Sequence, residues 1–135
     1  MFKTDEPIMP LPVLLTTQEV VSKMADPAVV LLNVLSEQDF EKFHIKGSEN
    51  LTLGVNIRNF GIQARRKYPV KTQFITYGLD KESSLGLNAA RVLVGSGFKA
   101  DHYRGGILEW VTAALPMEGT VKNVSVVLGP PLEAK

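Results

Sequence analysis

The chain has 135 residues, a formal net charge of +1, 44% hydrophobic and 21% charged residues, and no cysteine. At this length one domain is expected, burying roughly two-thirds of the unfolded chain's surface on folding. Lack of cysteine excludes disulfides, thiolate metal sites and every thiol nucleophile, and the near-neutral charge argues against nucleic acid and acidic lipid as partners.

With only His44 and His102, a histidine-rich metal centre is not expected either, and neither a metal nor a cofactor is called for. No apolar run approaches the ~18 residues of a membrane span. The opening stretch MFKTDEPIMPLPVLL carries acidic residues and three prolines and makes a poor signal peptide, so a cytoplasmic protein is expected.

Residues 1–14, punctuated by Pro7, Pro10 and Pro12, read as an extended lead-in. Thr16 to Glu19 form a capping-box pattern, with Val20, Val21 and Met24 following at helical spacing and Asp26-Pro27 as the stop. Val29 to Leu35 is apolar except for Asn33 and rich in branched residues, which predicts a buried parallel strand. Ser36 caps a short helix to about Phe43, and Leu51 to Leu53 could form a short strand. A helix is predicted over Asn56 to Lys67, with Ile57, Phe60, Ile62 and Ala64 on its inner side.

Gln73 to Tyr77 is a second buried strand. It runs into a polar loop, and Ser83 or Ser84 then caps a helix whose apolar face is Leu85, Ala89, Val92 and Leu93. Gly95 or Gly97 closes that helix, and Ala100 to Tyr103 is a short strand before Gly105-Gly106. Ile107 to Ala114 is a helix carrying Trp110. The tail, residues 119–135, has enough valine to add an edge strand. Alternating strands and helices predict an α/β fold, a mostly parallel sheet with helices on both faces. Ligands of such sheets sit at the carboxyl ends of strands, where Tyr77 to Ser84 lies.

Two stretches are specific. VLLNVLSEQDFEKFHIKGSENLTL, from Val30, resembles the first signature of rhodanese-like domains: a buried strand, an acidic helix with an aromatic residue, then a His-Ile-x-Gly turn and an Asn-containing strand entry. FKADHYRGGILEWVTAALPME, from Phe98, resembles their second signature, with its Gly-Gly-x-x-x-Trp helix and closing Leu-Pro. The resemblance spans residues 15–118. It implies a three-layer rhodanese-like domain related to thiosulfate sulfurtransferases, in which a strand ends at a cysteine that carries sulfur as a persulfide.

Laid on this chain, that cysteine position is Gly78, and the active-site loop is Gly78, Leu79, Asp80, Lys81, Glu82, Ser83, Ser84 and Leu85, longer than the family's common short loop. Asn33 and Leu35 stand where the family's strand-end aspartate and arginine belong, which implies a reduced polar brace. The retained His44, Ile45, Gly47, Gly105, Gly106 and Trp110 are architectural. The expectation is therefore a catalytically inactive module that binds, regulates or scaffolds through this loop, with a protein partner or a small anion as ligand. The alternative is a sulfurtransferase- or phosphatase-related enzyme using a non-cysteine group or a partner's thiol.

Other candidates have plainer readings. Gly78 also suits a tight turn after a strand. Ser83 or Ser84 as a nucleophile needs a base, for which His44 is the candidate, but serine at this place is commonly a helix cap. Asp80 and Glu82 could be an acid/base pair or a metal site, but a solvated loop is the default reading; there they would oppose a bound anion, or take the loop amides themselves. Arg91 to Ala100 fits a dinucleotide Gly-x-Gly-x-x-Ala pattern, but no long helix follows it. Arg65-Arg66-Lys67 reads as the cationic end of a helix, His102 as a surface residue and Trp110 as core.

Overall fold

In the computed structural model, which describes residues 11–121, the elements run in chain order as β1 (Leu14–Leu15), α1 (Thr17–Lys23), β2 (Val29–Asn33), α2 (Glu37–Lys42), β3 (His44–Ile45), β4 (Glu49–Asn50), α3 (Ile57–Lys67), β5 (Gln73–Tyr77), α4 (Leu85–Gly95), β6 (Lys99–Tyr103), α5 (Gly106–Thr112) and β7 (Met117–Glu118). Five strands form a parallel sheet in the order β1-β6-β5-β2-β4, and β3 pairs antiparallel with β7 beside it. The fold is the expected α/β architecture.

Strand alternation divides the core into two layers. Leu32, Phe74 and Ala100 face one side of the sheet, where Phe60 and Ala64 of α3 and Ala89, Ala90 and Leu93 of α4 cover them. Leu31, Ile75, Tyr77 and Tyr103 face the other, under Val20 of α1 and Ile107 and Trp110 of α5. Trp110 is core, and its indole N–H donates to the Pro116 carbonyl at 2.9 Å.

Local chemistry sets the element ends. The capping box before α1 forms in full: Thr16 Oγ1 accepts from the Glu19 amide, and Glu19 Oε1 accepts from the Thr16 amide at 2.8 Å. β2 stops at Asn33, although Val34 and Leu35 are apolar, because the Asn33 side chain accepts from the Leu35 amide at 2.9 Å and turns the chain. α4 ends at Gly95, and Gly97, at φ +101°, makes the left-handed turn into β6. The Gly-x-Gly pattern is thus a helix-to-strand turn.

Several expected details differ. Residues 51–53 are not a strand; pairing occurs two residues earlier, at Glu49–Asn50 with Leu32–Asn33. In α3 the inner line is Phe60, Gly61 and Ala64, while Ile57 and Ile62 are exposed. Ile62 lies two residues past Phe60, roughly 200° around the helix, so the Phe60–Ala64 stripe turns it outward. Leu85 is also exposed, and Gly86 takes its place against the sheet. Leu14, the last residue of the lead-in, is already strand, paired with His102 of β6. Val121 is the last residue described, so the expected tail strand lies outside the described residues. None of the described helices is long and apolar enough to cross a membrane.

Candidate functional site

The candidate site is built where β5, the loop after it, and the N-termini of α4 and α5 meet. Tyr77 ends β5, and its side chain is fully buried on the α5 side of the sheet. Its hydroxyl accepts from Asn33 Nδ2 at 3.0 Å and from the Ile45 amide at 3.1 Å. Ser48 Oγ commits its proton to the Ile45 carbonyl at 2.6 Å, so the 2.8 Å contact between the hydroxyls has Tyr77 donating. Asn50 Nδ2 adds bonds to the carbonyls of Leu35 and Asn33. Burial pushes the Tyr77 hydroxyl pKa up, against its bonds to Ser48, Asn33 and Ile45.

The expected loss of the charged pair leaves a brace of a different kind. A neutral network of Asn33, Tyr77, Ser48 and Asn50 joins β2, β5 and the turn after β3, and every buried polar side-chain atom among the described residues has a partner. A neutral brace needs no desolvated ion pair. Sequence reasoning missed Tyr77 as its centre. The available signal was the parallel register, which places Asn33 beside Tyr77 at the ends of two buried strands.

Gly78 is buried and follows directly. A Cβ on it would meet Ser83 Oγ at 3.5 Å and the Gly86 amide nitrogen at 4.0 Å, both ordinary contacts. The position therefore has room for a side chain and faces the start of α4. The carbonyls of Gly78 and Leu79 accept from the Ile107 and Leu108 amides of α5 at 3.1 and 2.9 Å. Gly106, at φ +63°, allows this approach: a Cβ there would stand 2.5 Å from the Gly78 oxygen.

The rest of the loop bonds to itself. Asp80 Oδ1 accepts from the Glu82 amide at 3.0 Å, the Asp80 carbonyl from the Ser83 amide, and Ser83 Oγ from the Leu85 amide at 3.2 Å. Of the two carboxylates, only Asp80 takes a loop amide through its side chain; Glu82 and Lys81 are exposed. Ser84 is the N-cap of α4 and makes no side-chain cap bond. Leu85 opens the helix, with its side chain outward.

Of the two histidines, His44 is architectural and not a base, and His102 is not a surface residue. His44 donates from Nδ1 to the Phe40 carbonyl at 2.6 Å, stacks on the Phe40 ring, and has Nε2 3.4 Å from Glu118. It braces α2 against β7 and is not directed at Ser83 or Ser84. His102 is buried, a correction to the surface reading. Its Nδ1 bonds the Thr76 carbonyl at 3.1 Å, while Thr76 Oγ1 donates to the Gly86 carbonyl at 2.6 Å. Its ring fills the space Gly86 leaves, where a Cβ would meet Cε1 at 2.4 Å. Burial lowers the His102 pKa, its bond to Thr76 opposes that, and Arg104 lowers it further. It is a neutral strut under the start of α4. The glycine facing it on α4 was the missed signal.

A model described as a rhodanese-like domain matches residues 16–113 of the chain. Among solved structures, a Bacillus halodurans protein superposes with a TM-score of 0.70 at 17% identity, covering 81% of this chain and 78% of that one. The rhodanese-like domain of an Anabaena protein, solved in solution, gives 0.70 at 19% identity, with 84% of each chain covered. A probable thiosulfate sulfurtransferase gives 0.63 at 26% identity over 78% of this chain, which spans 47% of that protein's length. No curated protein sequence matches.

Proposed function

Because the chain belongs to the rhodanese-like domain family, we propose that it is a catalytically inactive member, a cytoplasmic binding or regulatory module that works through the Gly78–Leu85 loop and its rim. The observation that carries this reading is Gly78 itself. The family's sulfur carrier would stand there, and the chain contains no cysteine that could carry a persulfide.

The loop's bonding supports the same reading. A catalytic loop of this kind needs its amide N–H groups pointed at a thiolate or oxyanion. Here Asp80 takes the Glu82 amide and Ser83 takes the Leu85 amide. A fixed carboxylate on those amides opposes an incoming anion, which argues for a protein surface as ligand ahead of a small anion. Serine chemistry has no support, because the candidate base His44 is bound to Phe40 and faces Glu118.

The test is turnover. The purified chain is incubated with thiosulfate and cyanide, and separately with a generic phosphate ester, beside a heat-killed sample. Rates equal to that background are expected in both assays. Turnover above background in either would overturn the inactive reading and favour an enzyme using a non-cysteine group.

A further inference from the structure

A second surface lies away from the loop, on the layer formed by α3 and α4. No aspartate or glutamate occurs between Glu49 and Asp80, or between Glu82 and Asp101. These two stretches hold seven of the fifteen basic residues and none of the fourteen acidic ones. α3 carries Arg58, Arg65, Arg66 and Lys67, and α4 carries Arg91. Among the described residues, none of these forms an ion pair. Five of the fifteen basic residues thus lie on these two helices, with no acidic residue among them.

Between the two helices runs an open groove of about 620 Å³, lined by Ile57, Arg58, Gly61, Ile62, Arg65 and Val92, with Gly95 and Ser96 at its end. Its apolar lining is unusual for so cationic a layer. Ile57 is 54% and Ile62 43% exposed, and Val55 beside them is fully exposed. Arg65 is held at the edge by a 3.1 Å bond from Nη1 to the Ser96 carbonyl, leaving its other N–H groups for a ligand. Gly61 brings the helices close: a Cβ there would meet Ser96 Oγ at 2.5 Å and Val92 Cγ1 at 3.3 Å.

We propose that the shallow α3–α4 groove, with its exposed isoleucines beside Arg58 and Arg65, docks an acidic amphipathic helix of a partner protein. A helix laid in a groove presents apolar anchors at i, i+3, i+4 and i+7. Its acidic residues would meet Arg58 and Arg65, which stand about two turns apart along the same side of α3. Charge complementarity chooses this occupant. A second copy of the chain would bring its own cations to the same place, and like charges repel. A phosphate backbone would gain nothing from Ile57 and Ile62. The surface is independent of how the Gly78 loop is read.

The experiment uses a fluorescently labelled peptide of about 18 residues with leucines at i, i+3, i+4 and i+7 and glutamates opposite. A peptide of the same composition in scrambled order is the control. Binding to the whole chain is followed by fluorescence anisotropy at low salt. The patterned peptide should bind and the scrambled one should not. Arg58→Glu/Arg65→Glu should weaken binding by roughly tenfold or more. Lys23→Glu/Lys46→Glu, which changes net charge equally outside this layer, should leave binding unaltered. Circular dichroism of all variants confirms that they fold. Absence of binding, equal binding of the scrambled peptide, or equal loss in the Lys23/Lys46 variant overturns the proposal. So does retention of the chain on phosphatidylserine vesicles that the Arg58/Arg65 variant abolishes while peptide binding is unaffected.

Discussion

Gly106 approaches Gly78 so closely that a single methyl group on Gly106 would stand 2.5 Å from the Gly78 carbonyl oxygen. That contact ties the loop to α5, and it separates the two glycines by what each tolerates. Gly106→Ala meets both a left-handed φ of +63° and the clash, and should lose about 2 kcal/mol or more of stability. Gly78→Ala meets nothing closer than Ser83 Oγ, at 3.5 Å, and should stay within about 1 kcal/mol of the parent. Urea denaturation of both variants checks the ordering; equal losses would show that the loop is not anchored as described.

Gly78→Cys follows from the same geometry. The side chain fits, so the variant should fold, yet thiosulfate-to-cyanide transfer should remain close to background. A thiolate there needs loop amides that Asp80 and Ser83 already take. Adding Asp80→Gly frees the Glu82 amide and should raise the rate above that of the single variant. A near-normal sulfurtransferase rate in Gly78→Cys alone would mean that the loop can rearrange at little cost.

Tyr77→Phe tests the neutral brace. It strands Asn33 Nδ2 and the Ile45 amide in a dry site, and should cost about 2–4 kcal/mol, more than one ordinary hydrogen bond. Ser48→Ala removes the acceptor of the Tyr77 proton and should cost less. The two losses should not add in the double variant, because the hydroxyls share one bond. Simple additivity in a denaturant-based double-mutant cycle would rule out the network.

His102 gives a pH dependence whose sign is fixed by burial. Its folded pKa is lowered, so the unfolded chain binds its proton first as pH falls. The neutral strut contributes fully above the unfolded value of about 6.5, and its contribution declines as pH drops from there toward the folded value. Arg104 nearby acts in the same direction. His102→Asn, which keeps a donor for the Thr76 carbonyl, should flatten the fall in melting temperature between pH 7 and pH 5. An identical slope in parent and variant would remove His102 from the account.

Much of this architecture was legible in the sequence because it rests on local rules. Thr16 to Glu19 could be read as a capping box from spacing alone, and Gln73 to Tyr77 as a buried strand from its apolar run. The family signatures placed the loop between them. What escaped were partners distant in sequence. Nothing local says that the Tyr77 hydroxyl meets Ser48, or that His102 slides under Gly86. The outward turn of Ile57 and Ile62 was missed for a related reason: apolar identity was taken for burial, whereas the Phe60–Ala64 line decides which side of α3 faces in. Asp80's bond to the Glu82 amide was one of several readings of the loop, and its spacing of two residues is the local signal that could have singled it out.

The short strands at the two margins of the sheet have a consequence for how this protein can meet others. β1 and β4 each span two residues, and each has its outer backbone facing away from the ladder. A visiting strand would find only a bond or two to make at either margin, too few to hold it. Strand addition onto β1 or β4 themselves is thus disfavoured. The side chains of the protein's described helices and loops offer the larger surface for recognition.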